Sequence, residues 1–259
     1  MTIDVDPDWW KSLFDDIYLT TDARSVCDDN VTAREIDILA ELIPLESGQQ
    51  ILDLCGGHGR HTLELGRRGF TRCTVLDYSR VLLKTGAQRA KRHRVSPHFV
   101  EADARRIPFA NRCFHHVMIL GNSFGYTEKA GSDSRILSEA LRVLKPRGWL
   151  ALDVVDGENI HARFSPNAWH EIGGDIVVCR QREIRGERVL ARELVISKTS
   201  GVIRDHTYGM RIYTAGMIQA LLIGAGFEDA RVHTDFSSIE LQQDVGLMNH
   251  RMIATARKA

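Results

Sequence analysis

The stretch ILDLCGGHGRHTLELGRRG, from Ile51 to Gly69, constrains this chain more than any other. Ile51–Leu54 is apolar apart from Asp53, a run of the length and character of a strand buried on both faces. Glycines follow at Gly56, Gly57 and Gly59, and then a helical stretch over Arg60–Arg68 that Gly69 closes. A strand, a glycine loop and a helix in that order belong at the carboxyl edge of a parallel sheet, where backbone N–H groups and a helix N-terminus face a ligand. Glycine lets the main chain approach that ligand and take positive φ. A tight β–α turn with no ligand is the alternative reading. The dinucleotide fingerprint G-x-G-x-x-G is incomplete, because Thr62 stands where the third glycine would pack helix on strand. The phosphate loop G-x-x-x-x-G-K-[ST] is absent.

The rest of the chain supplies the sheet that such a loop needs. Strands are expected over Gln50–Leu54, Thr71–Leu76, Pro97–Val100, His116–Leu120 and Trp149–Val155, with helices over Ser79–His93 and Asp133–Leu144 between them. That alternation implies right-handed crossovers and a parallel sheet. Ahead of it, Asp8–Ile17 and Val31–Ile43 show helical spacing; Asn30 or Thr32 caps the second, and Tyr18–Asp22 reads as a polar linker between them. From Ala168 to Tyr213 the rhythm changes to strand after strand with glycine breaks, which reads as an antiparallel insertion. A helix over Thr214–Gly224 and strands near Ala230–Thr234 and Met252–Ala256 finish the chain.

The glycine stretch resembles motif I of class I S-adenosylmethionine-dependent methyltransferases, in the C-G-H-G-R-H variety found among small-molecule enzymes. Asp53 takes the acidic position, Gly57 and Gly59 take the second and third glycines, and Cys55, with Gly56 beside it, replaces the first. Val75-Leu76-Asp77-Tyr78-Ser79 resembles motif II, FVEADARRIPF motif III, LRVLKPRGWL the approach to strand five, and Arg211–Thr214 with Ala225-Gly226-Phe227 the closing segment. The resemblance covers roughly residues 45–155 and, less closely, 205–259. It implies an α/β fold: a Rossmann-like seven-stranded methyltransferase sheet with an N-terminal helical lid (1–44) and an antiparallel β insertion after strand five. The binding domain then spans 45–160 and 214–259, and the insertion 161–213 covers the acceptor site.

The same resemblance implies S-adenosyl-L-methionine as cofactor. Asp77 grips its ribose, as a carboxylate accepts from two vicinal hydroxyls, and Asp103 holds the adenine amino group beside Ala104. Asp53, Cys55, Gly56, Gly57, Gly59, Arg60, Tyr78, Leu120 and Gly121 complete the cofactor set, with Tyr18 closing over the sulfonium by a cation–π contact. Tyr126 and Asn122 are catalytic candidates on the segment after strand four, where Ser123 meets the acceptor. His58 is the base candidate; capping of the following helix is its alternative. Trp169, Tyr208 and Arg211 are expected to face the acceptor from the insertion, Arg211 either on an acidic group or at the surface. Phe114-His115-His116 departs from the family's Phe-Asp and is expected at the start of strand four, opposite the ligand.

With 34 basic and 34 acidic residues the chain has no net pull toward nucleic acid or anionic lipid. Its one basic run, Arg89 to Arg94, ends a helix, where positive charge suits the dipole. The five cysteines are scattered, with no CxxC, so reduced thiols in a cytoplasmic protein without a metal site are expected. No apolar run approaches the ~20 residues that span a bilayer. The expected activity is methyl transfer to nitrogen or oxygen of a small-molecule acceptor in bacterial specialised metabolism (natural product biosynthesis), by a monomer or homodimer. RNA or protein methylation, or cofactor binding without turnover, are the alternatives.

Overall fold

The computed structural model describes residues 2–129, 131–236, 248 and 250–259. Its main sheet contains β1 (Ile51–Leu54), β2 (Cys73–Asp77), β3 (His98–Glu101), β4 (Phe114–Ile119), β5 (Leu144–Val155), β10 (Glu228–Phe236) and β11 (Arg251–Arg257). The order is β10-β11-β5-β4-β1-β2-β3. All pairings are parallel except those of β11, which runs against both β5 and β10. Strand order reverses direction between β1 and β4, the point where open α/β sheets bind ligands.

Both faces of this sheet are covered, which is why β1 and β4 read as nearly continuous apolar runs. Ile51, Met118, Ala151 and Ile253 meet α3 (Asp29–Leu42) and α4 (Arg60–Arg67) through Ile36, Leu39 and Leu65. Leu52, Leu54, Val117 and Leu152, pointing the other way by the two-residue period, meet α6 (Ser132–Val143) and α8 (Ala215–Gly224). The first forty-four residues therefore divide: α3 is part of the sheet's core, and only the stretch before it lies over the ligand edge. Asp28, not Asn30 or Thr32, caps α3, its carboxylate accepting from the N–H groups of Asn30 and Val31. His115 and His116 lie at the start of β4, bonded to Gln50 N–H at 2.9 Å and the Gln49 side chain at 2.5 Å, at the edge away from the glycine loop.

The insertion is a four-stranded antiparallel sheet, β6 (Asn167–Ile172), β7 (Ile176–Arg185), β8 (Arg188–Ser197) and β9 (Gly201–Arg211), in chain order. A short helix, α7 (Gly157–Ala162), not foreseen from the pattern, leads into it from β5. The N-terminal segment lies between the two sheets. Its expected single helix over Asp8–Ile17 is a 3₁₀ turn (Trp9–Lys11), then α1 (Asp16–Thr21) and α2 (Ala23–Val26). The break comes from Asp15, whose carboxylate accepts from the N–H groups of Ile17 and Tyr18 and starts a new helix there. Tyr18 thus sits in α1 rather than in a linker. Trp9 packs at a tilt against Tyr208 at 5.7 Å and Tyr126 at 5.2 Å, and Asp15 and Asp22 bind Arg204 and Arg180 of the insertion.

Candidate functional site

Two adjoining cavities open at the carboxyl ends of β1, β2 and β4. The first holds about 1080 Å³, its mouth included, and the second about 700 Å³. Phe14, Tyr18 and Tyr126 line both and form a common aromatic wall.

The glycine loop floors the first cavity. Gly56 must be glycine because a Cβ there would lie 2.6 Å from the Asp53 carboxyl carbon. Gly59 takes φ +73° and a Cβ on it would meet Val75 at 2.9 Å. Cys55 adopts φ +59° without being glycine, a conformation uncommon for such a side chain. Asp53 lies beneath the loop: it accepts the Thr62 hydroxyl at 2.9 Å, and burial pushes its carboxyl up to about 6. Asp53 and Gly59, both expected in the cofactor set, lie behind the loop and do not line the cavity.

Asp77 ends β2 inside the cavity. Its two oxygens accept the Gly57 N–H at 2.7 Å and the Ser79 N–H at 2.8 Å, so the turn fixes the carboxylate's direction. Burial raises its carboxyl from the usual range, and these backbone donors work against that. Asp103 lies in the same wall with Ala104, held by the Arg105 side chain through Nε at 2.9 Å and by the Arg105 N–H at 2.8 Å. Arg105 in turn stacks under Trp10 at 5.0 Å, and Trp10 meets Tyr78 edge-on. Trp10 and Phe14 are cavity wall as well.

Leu120, Gly121 and Ser123 line the opposite side. That turn is pinned from below by Asp153, which accepts the Gly121 N–H at 3.0 Å. Asp153 also binds Arg251, Arg251 binds Glu35 of α3, and Glu35 binds Arg60 and His61 of α4. This buried chain of charges ties both loops of the cavity to α3, α4, β5 and β11. Arg60 gives Nη1 to Thr32 and Glu35, while its Nη2 has no acceptor among the described residues.

The expected catalytic and acceptor residues do not all line the cavities. His58 lines the cavity, but burial, with Arg89 and Arg60 nearby, pulls its pKa down to about 3, which makes it a weak proton acceptor. Asn122 lines the second cavity, but its amide oxygen accepts the Val155 N–H at 3.0 Å and its nitrogen faces Met210. Tyr126 is the shared wall, its hydroxyl held protonated well above the usual range by burial. Tyr208 lines the second cavity. Trp169 is 70% exposed and Arg211 is paired to Asp133; neither lines a cavity. The register explains both: Trp169 pairs Cys179, one residue out of phase with the inward row of Arg180 and Arg182, and Arg211 follows inward Met210.

Three buried histidines make the fold sensitive to acid. His58, His61 and His116 titrate near 6.5 when unfolded, but burial, foremost, lowers them to about 3, 4 and 4. Their stabilising contribution is full above pH 6.5 and drains as pH falls toward the folded values. Asp53, raised to about 6, acts oppositely and regains stability as pH falls through 6. The difference is roughly two protons, so the unfolding free energy should drop by about 2–3 kcal/mol from pH 6 to pH 5. Denaturant titrations across that range check it. His116→Gln should flatten the slope by about 1.4 kcal/mol per pH unit, and an unaltered slope would sink the assignment.

A family model described as "Methyltransferase domain" matches residues 51–148. A demethylmenaquinone methyltransferase of Renibacterium salmoninarum is 31% identical over 166 residues, 64% of this chain and 65% of that one. The chain thus spans just under two thirds of this relative's length. Among solved structures, the CcbJ methyltransferase of Streptomyces caelestis superposes with TM-score 0.77 at 16% identity, covering 98% of this chain and 99% of that one. CalS10 of Micromonospora echinaspora, an amino pentose methyltransferase of calicheamicin biosynthesis solved with S-adenosylmethionine bound, gives TM-score 0.61 at 16% identity, covering 88% and 91%.

Proposed function

Because residues 51–148 are a methyltransferase domain set in the Rossmann-like fold of S-adenosylmethionine-dependent methyltransferases, we propose that this protein moves a methyl group from S-adenosylmethionine to a nitrogen of a small molecule. When bound, that cofactor supplies a methyl already made electrophilic by a sulfonium. The residues present suit it. Asp77 offers a pre-aimed carboxylate to vicinal hydroxyls, and Asp103 between Ala102 and Ala104 offers an acceptor beside an apolar slot. Arg60 Nη2 is a free donor for an anionic end. The faces of Phe14, Tyr18 and Tyr126 suit a cation at the junction of the cavities.

The observation that favours nitrogen is the lack of a strong base at that junction. Tyr18 and Tyr126 stay protonated, and His58 is a weak acceptor. A neutral amine attacks with its own lone pair, whereas a hydroxyl acceptor needs help to lose its proton. The protein's part is then to align the lone pair with the breaking bond and to keep water out. Ser123 and Tyr126 form the wall nearest that position, and the N-terminal segment with the insertion closes over it. The limited volume of the second cavity, about 700 Å³ with its mouth included, supports a small acceptor over a nucleic acid or protein. We extend the proposal to the biosynthesis of a specialised metabolite, the setting named for the structurally similar CalS10. Five unpaired thiols fit a reducing, cytoplasmic setting. A second reading, methylation at a ring carbon, rests on the name of the Renibacterium relative.

Calorimetry on protein stripped of endogenous ligand tests the core of this. S-adenosylmethionine and S-adenosylhomocysteine should each bind at one site per chain with micromolar affinity. Folded protein that binds neither overturns the reading. An acceptor screen, amines before alcohols, then separates nitrogen from carbon by the position of the new methyl in NMR spectra.

A further inference from the structure

The second cavity is lined by a buried arginine that makes no ion pair among the described residues. Arg182, on β7, is 7% exposed and lines this cavity. Its Nε is shut off from solvent without a partner, and no carboxylate or carbonyl accepts from its guanidinium among the described residues. The nearby carboxylates are committed to other arginines. Glu193 takes Arg180 at 2.8 Å and stands 3.6 Å from Arg204. Asp22 takes Arg180 at 3.0 Å, and Asp15 takes Arg204. An arginine cannot shed its charge when buried, and a buried, unpaired cation costs several kcal/mol. A side chain kept in that condition inside a cavity is suited to a ligand that completes it.

Register gives the ligand room. Arg182 pairs across to Ala191 on β8, and Ala191 to Tyr208 on β9, so all three project from one face of the sheet. Arg182 and Tyr208 line the cavity, with only the small alanine between the guanidinium and the phenol in the register. Trp9 backs the phenol at 5.7 Å.

We propose that Arg182 is the specificity residue for the acceptor and that the acceptor carries a carboxylate. The inference rests on the methyltransferase reading above and adds the acceptor's chemical class. A carboxylate matches the planar fork with two parallel hydrogen bonds, and the Tyr208 hydroxyl can donate a third. Around the guanidinium, three arginines, Arg180, Arg182 and Arg204, stand against three carboxylates, Asp22, Asp15 and Glu193. A monoanion therefore suits the site better than a phosphate dianion, which would leave a larger uncompensated charge.

The test uses the full chain saturated with S-adenosylhomocysteine, titrated with matched pairs of small amines. Examples are 4-aminobenzoate against 4-aminobenzamide and 4-aminobutanoate against its amide, with 4-aminophenyl phosphate as a third arm. Some acids of the panel should bind at least tenfold tighter than their amides. In Arg182→Met that preference should collapse while S-adenosylhomocysteine affinity stays within twofold. The same variant should melt at a higher temperature, because it removes an unpaired buried charge; a merely structural arginine would give a lower one. No acid preference anywhere in the panel, a preference that survives in R182M, or phosphate preferred to every carboxylate overturns the proposal. If wild-type protein fails to bind S-adenosylhomocysteine, the methyltransferase reading itself falls.

Discussion

Asp77→Ala is expected to weaken S-adenosylmethionine binding by 100-fold or more. The side chain does two jobs in the structure. Its oxygens accept the N–H groups of Gly57 and Ser79 and so hold the glycine loop against the end of β2. The same oxygens face the cavity, where they would accept the ribose hydroxyls. Hydrogen bonds to a charged group contribute about 1.5–3 kcal/mol each, so losing two costs roughly 3–6 kcal/mol, and about 1.4 kcal/mol is tenfold in affinity. Asp77→Asn should fare little better. Whichever way the amide turns, its NH₂ meets a backbone N–H that was a donor to the carboxylate. Calorimetry on both variants, with circular dichroism to show that they fold, measures the effect. Affinity within threefold of wild type would refute the ribose assignment.

Arg251→Ala should produce the largest loss of stability of any single change in the buried charge chain. Arg251 is 2% exposed and binds Glu35 and Asp153 at once. Without it, Asp153 keeps only the Gly121 N–H while remaining in the core, and Glu35 retains Arg60 and His61. Breaking a buried pair by removing one partner costs about 3–5 kcal/mol. For a chain of this size that corresponds to a fall in melting temperature of roughly 6–20 °C. Cofactor affinity should drop as well, since Asp153 positions Gly121 in the cavity wall. Adding Asp153→Leu to Arg251→Met should recover much of the melting temperature, because the stranded charge is then gone. A calorimetric shift under 2 °C for the single variant would mean that the network carries no net stability.

What was legible in the sequence is what short-range pattern encodes. The glycine loop, Asp77 at the end of β2 and the histidines at the start of β4 sit where spacing put them. The alternation of strand and helix is local, and each β–α unit closes on near neighbours. The boundary at Asp15 was missed because the apolar spacing runs through it while a single carboxylate starts a new helix. In the insertion, residue type misled. Trp169 and Arg211 are the residues expected to face the acceptor and Arg182 drew no expectation, yet a two-residue period has no preferred phase until the strands are registered. Trp169 turned out and Arg182 turned in. The Glu35–Arg251 pair joins residues 216 apart, beyond any periodicity.

The position of the N-terminal segment between the two sheets has a consequence for how the protein is made. Asp15 is bound to Arg204, 189 residues later, and the Ile3 carbonyl to Arg185, 182 later. A ribosome adding about 5–20 residues per second releases the first segment roughly 10–40 seconds before its partners exist. Through that interval Trp9, Leu13 and Phe14 have no insertion to lie on, while the units from β1 to β5 can already fold. The roof of the cavity thus waits for the insertion, although one of its pieces is synthesised before the sheet that it covers. A chain stalled before β9 would carry the glycine loop and Asp77 under an unfinished roof, with the aromatic segment left for chaperones to shield.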